Sequence, residues 1–152
     1  MPSLSFISLS PRQTKKLAGL FLNQKLPQGP LVFALSGPLG AGKTNFIQGL
    51  AKALGIKESI NSPSFVVMKS FPISNNSQLA ISHKRFLWHI DCWRLNQKDL
   101  EELGLKEILA NSENIVCLEW AEKVKKILPK GTIRINLEHK AKNQRRISIR
   151  RF

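Results

Sequence analysis

The sequence predicts an α/β fold in which a mostly parallel central sheet carries helices on its faces and antiparallel hairpins at its edges. Three observations lead there. The runs LVFAL (31–35) and NIVCL (114–118) are short and wholly apolar, as strands buried on both faces are. A segment of helical period follows the first run, and another precedes the second. The C-terminal segments TIRINLE and RRISIRRF alternate apolar with polar residues, as paired antiparallel strands do.

Each element follows in chain order. Leu4 to Leu9 reads as an edge strand. Ser10-Pro11 then supplies an N-cap and a first-turn proline. Leu17, Leu20 and Phe21 continue at helical spacing, so a helix is expected to about Asn23. The breaker PQGP separates it from the strand Leu31–Leu35. Phe46, Ile47, Leu50, Ala51 and Leu54 mark one face of a second helix, stopped by Gly55. SFVVMKSF and KRFLWHIDCW read as two strands of a hairpin, and the polar connection PISNNSQLAIS as its mobile tip. QKDLEELGLKEIL is helical with an interruption near Gly104. NIVCLEW is a buried strand, AEKVKKIL a short helix ended by PKG, and the last two strands form a hairpin.

Composition bounds the function. The chain has 152 residues and 42% hydrophobic content, which suits one domain over 1–152. No apolar stretch is long enough to span a bilayer. The basic residues of the N-terminus follow its apolar part, the reverse of a secretory signal, so a cytoplasmic location is expected. Cys92 and Cys117 lie far apart in apolar segments and read as reduced core residues. Lys and Arg number 24 against 10 Asp and Glu, a net charge of +14, and the first acid is Glu58. Such a field attracts nucleotides, RNA or an acidic protein, although a solvated basic surface accounts for it equally well. The C-terminal stretch HKAKNQRRISIRRF is the densest patch, but its only aromatic residue is Phe152, so it is no base-stacking platform.

The segment SGPLGAGKTNF carries the chemistry. Gly37, Gly42, Lys43 and Thr44 fit G-x-x-x-x-G-K-[ST]. Glycines permit positive φ and let a phosphate approach without a Cβ in the way. The backbone N–H groups of Leu39, Gly40, Ala41, Gly42, Lys43, Thr44 and Asn45 then form an anion nest at a helix N-terminus. Lys43 is placed to reach the β- and γ-phosphates of ATP, and Thr44 to offer its hydroxyl to Mg²⁺. Pro38 has no N–H to donate. With a strand before and a helix after, the motif predicts a P-loop NTPase-type three-layer sandwich.

Such a site needs a carboxylate near the metal. Asp91 and Glu119 each end an apolar strand, where an unpaired charge is costly; exposure at a strand end is the alternative for both. His89 reads as a satisfied strand histidine more readily than as a catalytic group. Arg94 can pair with Asp91 or reach a phosphate, and Trp120 can flank a nucleotide or cap the core.

Taken together, GPLGAGKTNFIQGLAKALGI, NSPSF, HIDCWRL, LGL and LEW resemble, in order and spacing, the bacterial TsaE (YjeE) ATPases. The resemblance covers nearly the whole chain. Its specific part is the P-loop combined with His89-x-Asp91-x-x-Arg94 and Glu119-Trp120. It implies a small ATPase of tRNA threonylcarbamoyladenosine (t⁶A) modification, acting on a TsaD–TsaB complex and meeting tRNA through that complex. It also implies that Lys43 and Thr44 hold phosphate and Mg²⁺, that Glu119 is a magnesium-site acid, and that Asp91 is an essential acid. Thr14 and an arginine at or near Arg146 are implied to flank the nucleotide. The chain departs from the pattern at Pro38 (usually aspartate), Ser64 (usually threonine) and Trp93 (usually tyrosine), and it is more basic than the family in general. A small-molecule kinase is one rival, weakened by the lack of any arginine from Leu95 to Trp120 where a phosphate-screening lid is expected. A nucleotide-gated RNA-binding module is another, favoured by the charge and disfavoured by the two acids.

Overall fold

The computed structural model describes residues 3–23, 28–63, 65–74 and 83–151. Ser64, Phe152 and the connection at 75–82 lie outside the described residues. Seven strands form one sheet: β1 (Leu4–Ser8), β2 (Leu31–Ser36), β3 (Met68–Pro72), β4 (Phe86–Asp91), β5 (Asn114–Glu119), β6 (Ile133–Ala141) and β7 (Gln144–Arg151), in the order β1-β7-β6-β2-β5-β4-β3. The centre is parallel: β2 pairs with β6 and with β5, and β5 with β4. The antiparallel pairs β1–β7, β7–β6 and β3–β4 lie outside it. The architecture is the expected P-loop NTPase-type sandwich.

The wholly apolar strands are buried on both sides, and their two-residue period divides them between two cores. Leu31, Phe33 and Leu35 of β2 join Phe46, Ile47 and Leu50 of α2 (Lys43–Ala53) and Ala18 of α1 (Pro11–Leu20). Val32 and Ala34 face the other way, with Leu100 of α3 (Gln97–Glu102) and Leu105 and Leu109 of α4 (Leu105–Ala110). Ser10 caps α1 by accepting from the Gln13 N–H at 3.1 Å. Gly104, at φ 92°, separates α3 from α4 in a conformation that favours glycine.

Three expectations shift in detail. The first helix ends at Leu20, and residues Phe21–Asn23 tighten into a 3₁₀ turn. AEKVKKIL keeps only a 3₁₀ turn, Ala121–Val124, entered from a left-handed backbone at Trp120 (φ 57°). In SFVVMKSF only Met68–Pro72 is strand; Phe65 and Val66 form a turn, and Val67 sits at φ 64°.

Candidate functional site

The motif lies where β2 ends and α2 begins. Gly37, Gly40 and Gly42 have φ of 140°, 75° and 101°, so the loop uses the backbone region that glycine opens. A Cβ on Gly37 would collide with the Leu137 carbonyl of β6. Leu39, at the apex, is 86% exposed, whereas the Ala41 side chain is buried in the core and its N–H donates to the Pro38 carbonyl (3.1 Å). Lys43 turns back over the loop: Nζ donates to the carbonyls of Gly37 (2.6 Å) and Pro38 (3.1 Å) and lies 3.8 Å from the Trp120 ring centre. Burial lowers the Lys43 pKa, partly offset by Glu119, Glu122 and Asp91.

The two acids end neighbouring parallel strands in register, Asp91 opposite Glu119, at the carboxyl edge where open α/β sheets place their sites. Both are buried. The Thr44 hydroxyl donates to Glu119 Oε1 at 2.7 Å, and His89 Nε2 lies 2.8 Å from the same oxygen. Burial raises the Glu119 pKa, but the hydrogen bonds from His89 and Thr44 and the charge of Lys43 hold it, on balance, below 4.5. The carboxylate is therefore ionised at neutral pH, and the His89 Nε2–H donates to it. His89 Nδ1 is buried without a hydrogen-bond partner among the described residues. Asp91 Oδ1 accepts from the Trp93 N–H at 2.9 Å, and Oδ2 lies 3.5 Å from the Ser62 hydroxyl.

These groups line a cleft of about 470 Å³ that runs from Gly40 and Thr44 past Ser62 and Asp91 to Arg94 and Trp120. The Trp93 and Trp120 rings meet at 4.2 Å between centres and form one wall. The left-handed backbones of Val67 and Trp120 sit at its edges: Val67 O accepts from the Asp91 N–H, and Trp120 follows Glu119 directly. For a β-branched residue such as Val67 that conformation is strained.

The sequence-predicted residues divide as follows. Lys43, Thr44, Asn45, Asp91 and Glu119 meet in the cleft, with Leu39, Gly40 and Gly42 on its loop side. Thr14 is buried, bonded through its hydroxyl to Ser8 (2.8 Å), and faces a smaller hollow shared with Gly40, Asn45 and Arg145. Arg146 is not brought there. Strand alternation turns it to the opposite sheet face, and its neighbour Arg145 donates to the Gly40 carbonyl at 3.3 Å. Sequence reasoning left the arginine open at or near Arg146 and singled out Trp120 without its contact to Trp93; it missed Ser62. Two-residue spacing from buried Ile147 and Ile149 was the available signal for Arg145. Ser62 and the tryptophan contact depend on loop paths that no periodicity encodes.

Comparison with known proteins gives this arrangement its place. The family model described as threonylcarbamoyl adenosine biosynthesis protein TsaE matches residues 8–147. The chain belongs to the TsaE family. It is 32% identical over 149 residues to the tRNA threonylcarbamoyladenosine biosynthesis protein TsaE of Bacillus subtilis, covering 98% of this chain and 86% of that protein. The TsaE protein of Treponema pallidum is 35% identical over 133 residues, covering 86% and 89%. The crystal structure of Bacillus subtilis YdiB superposes with a TM-score of 0.68 at 27% identity, over 97% of this chain and 84% of that one. The TsaE match spans the whole P-loop, both acids and the Glu119-Trp120 pair.

Proposed function

We propose that this TsaE-family chain is an ATPase of tRNA threonylcarbamoyladenosine biosynthesis, working with Mg²⁺ and completed by a TsaD–TsaB complex. The observation that carries the reading is the junction of Thr44 with Glu119: a P-loop hydroxyl bonded at 2.7 Å to an ionised, buried carboxylate from the next strand. This donor set fits Mg²⁺. Both groups offer hard oxygen, and Mg²⁺ takes one or two protein oxygens beside substrate phosphates and water. The bound cation would neutralise phosphate charge at that point.

The chain's own residues do the rest. The loop N–H groups and the start of α2 receive phosphate oxygens. Lys43 exchanges its bonds to the Gly37 and Pro38 carbonyls for phosphate, which restores a fully solvating shell to a buried ammonium. His89 keeps the Glu119 carboxylate oriented and ionised. Asp91, held by the Trp93 N–H, supplies the second carboxylate of the cleft. Thr14 and Arg145 flank the side of the loop away from the acids.

Equilibrium binding and phosphate release on wild type, Lys43→Ala and Glu119→Gln test the reading. ATP affinity should fall by roughly tenfold to a hundredfold in the first variant, and in the second be retained without hydrolysis. Unchanged ATP affinity in Lys43→Ala would remove the P-loop assignment.

A further inference from the structure

The helices cover the sheet unequally. α1 and α2 bury one face of β7 and β6 through Ile147, Ile149, Ile135 and Leu137. On the other face, α3, α4 and the turn at Ala121–Val124 pack against β2, β4 and β5. Among the described residues, none from β1, β6 or β7 joins that second core. Among the described residues, no helix packs its apolar side onto this face of the three-stranded antiparallel sheet β1-β7-β6.

Strand alternation identifies what it displays. Arg134 of β6 stands opposite Arg150 of β7, both exposed. In the next row Asn136 faces Ser148, and Ser148 faces Ser5 of β1. In the third, Glu138 faces Arg146, and Arg146 faces Ile7. Glu138 is the one acid in these rows, and it already accepts from Asn136 at 2.8 Å. The basic character continues beyond the rows. Exposed Lys140 and Lys142 lie at the β6–β7 turn, and Arg134 shares a shallow groove with Lys125 and the acid Glu122.

We propose that this face binds RNA through its phosphate backbone. The guanidinium is the side chain suited to paired hydrogen bonds with phosphate oxygens. Here three stand on rigid strands, with Arg146 and Arg150 about 13 Å apart by strand rise. Hydroxyl and amide groups between them, from Ser5, Ser148 and Asn136, are the further donors that position a nucleic-acid backbone. The rows contain no aromatic residue, so the contact is to phosphate and not to stacked bases, and recognition is largely independent of sequence. Ile7 is their one apolar side chain, too little for the buried anchors of a protein interface or for insertion into a bilayer. None of the residues in these rows lines the nucleotide cleft, so the proposal stands independently of ATP hydrolysis.

The test is binding of a fluorescent, unmodified tRNA transcript to the full chain across a salt series. Two double variants each remove two positive charges: Arg134→Gln/Arg150→Gln on the face, and Lys52→Gln/Lys57→Gln, exposed on and after α2. Thermal melts confirm that both are folded. Wild-type affinity should fall steeply with salt. The arginine variant should bind roughly tenfold more weakly at low salt, with a log–log salt slope reduced by about two, whereas the lysine variant stays close to wild type. Should the arginine variant fail to fold, Ser148→Glu on the same face serves instead and should weaken binding similarly. Equal weakening in both double variants would reduce the effect to net charge and overturn the proposal. So would the absence of RNA binding, or a preference for acidic phospholipid vesicles that depends on the same two arginines.

Discussion

At the scale of single residues, charge and burial assign separate duties to four side chains. Lys43 is buried, yet its hydrogen bonds go to two carbonyl oxygens and its ammonium lies on an aromatic face. Its removal leaves Glu119 still bonded to His89 and Thr44 and costs that acid only a nearby charge. Lys43→Ala should therefore lower ATP affinity by roughly tenfold to a hundredfold, the worth of a charge-assisted hydrogen bond, with little change in melting temperature. Thr44→Ala removes one oxygen from the metal side and leaves the loop's N–H groups in place. A Mg²⁺ titration of nucleotide binding should show weakened metal dependence, while metal-free binding holds; an unchanged titration contradicts the assignment. Glu119→Gln and Asp91→Asn keep shape and remove charge, and each should lower phosphate release on the order of 10²-fold or more while ATP still binds. Normal hydrolysis in either variant would make that acid structural. The main site residues were legible because they are few and sit at ends: lysine and threonine after glycines, one acid closing each apolar strand. The sequence pointed to an arginine at or near Arg146 without separating it from Arg145, because a shift of one residue on a strand reverses the face, and only the paired register fixes which face is which.

At the scale of elements, close approach and buried charge hold the frame on which the site rests. α1 crosses α2 at Gly49, where a Cβ would lie 2.6 Å from the Lys15 Cα and 2.8 Å from its carbonyl carbon. Backbone cannot yield as a flexible side chain can. Gly49→Ala should force the helices apart and cost about 2–3 kcal/mol, a fall in melting temperature of roughly 5–10 °C. Lys84 ties three segments together at the opposite edge of the sheet: its buried ammonium donates to the carbonyls of Gly29 and Ser112, both at 2.6 Å. Burial lowers its pKa from 10.5 to about 8. Between those values the unfolded chain binds more protons than the folded one, so this group makes stability rise with pH across that window. Lys84→Met should lack that rise. Denaturant melts of both proteins at intervals from pH 7 to 10.5 check the difference, and parallel stability curves contradict it. The order and type of the elements were legible, since apolar runs, caps and glycine stops are local signals. The 3₁₀ turn at Ala121–Val124 and the strained Val67 were not, because tertiary constraints at the cleft set the backbones of Trp120 and Val67 against their local preference.

At the scale of the whole molecule, the cleft is open and the excess positive charge lies largely outside it. Phe65 is 90% exposed and Trp93 52%, both beside the cleft, and Arg94 lies 5.5 Å from the Phe65 ring. Such a rim excludes water poorly from a bound phosphate, so turnover by the chain alone should be slow. A docked partner could order this rim or add an arginine in trans, an effect worth roughly 10³–10⁵ in some P-loop enzymes. The measurement that tests the central claim most directly is steady-state phosphate release by wild type and Glu119→Gln, each with and without a reconstituted TsaD–TsaB complex. Slow release by the wild type alone, marked stimulation by the complex and loss of both in Glu119→Gln are predicted. Fast release by the lone protein that the complex leaves unchanged, or release undiminished in Glu119→Gln, would contradict the account.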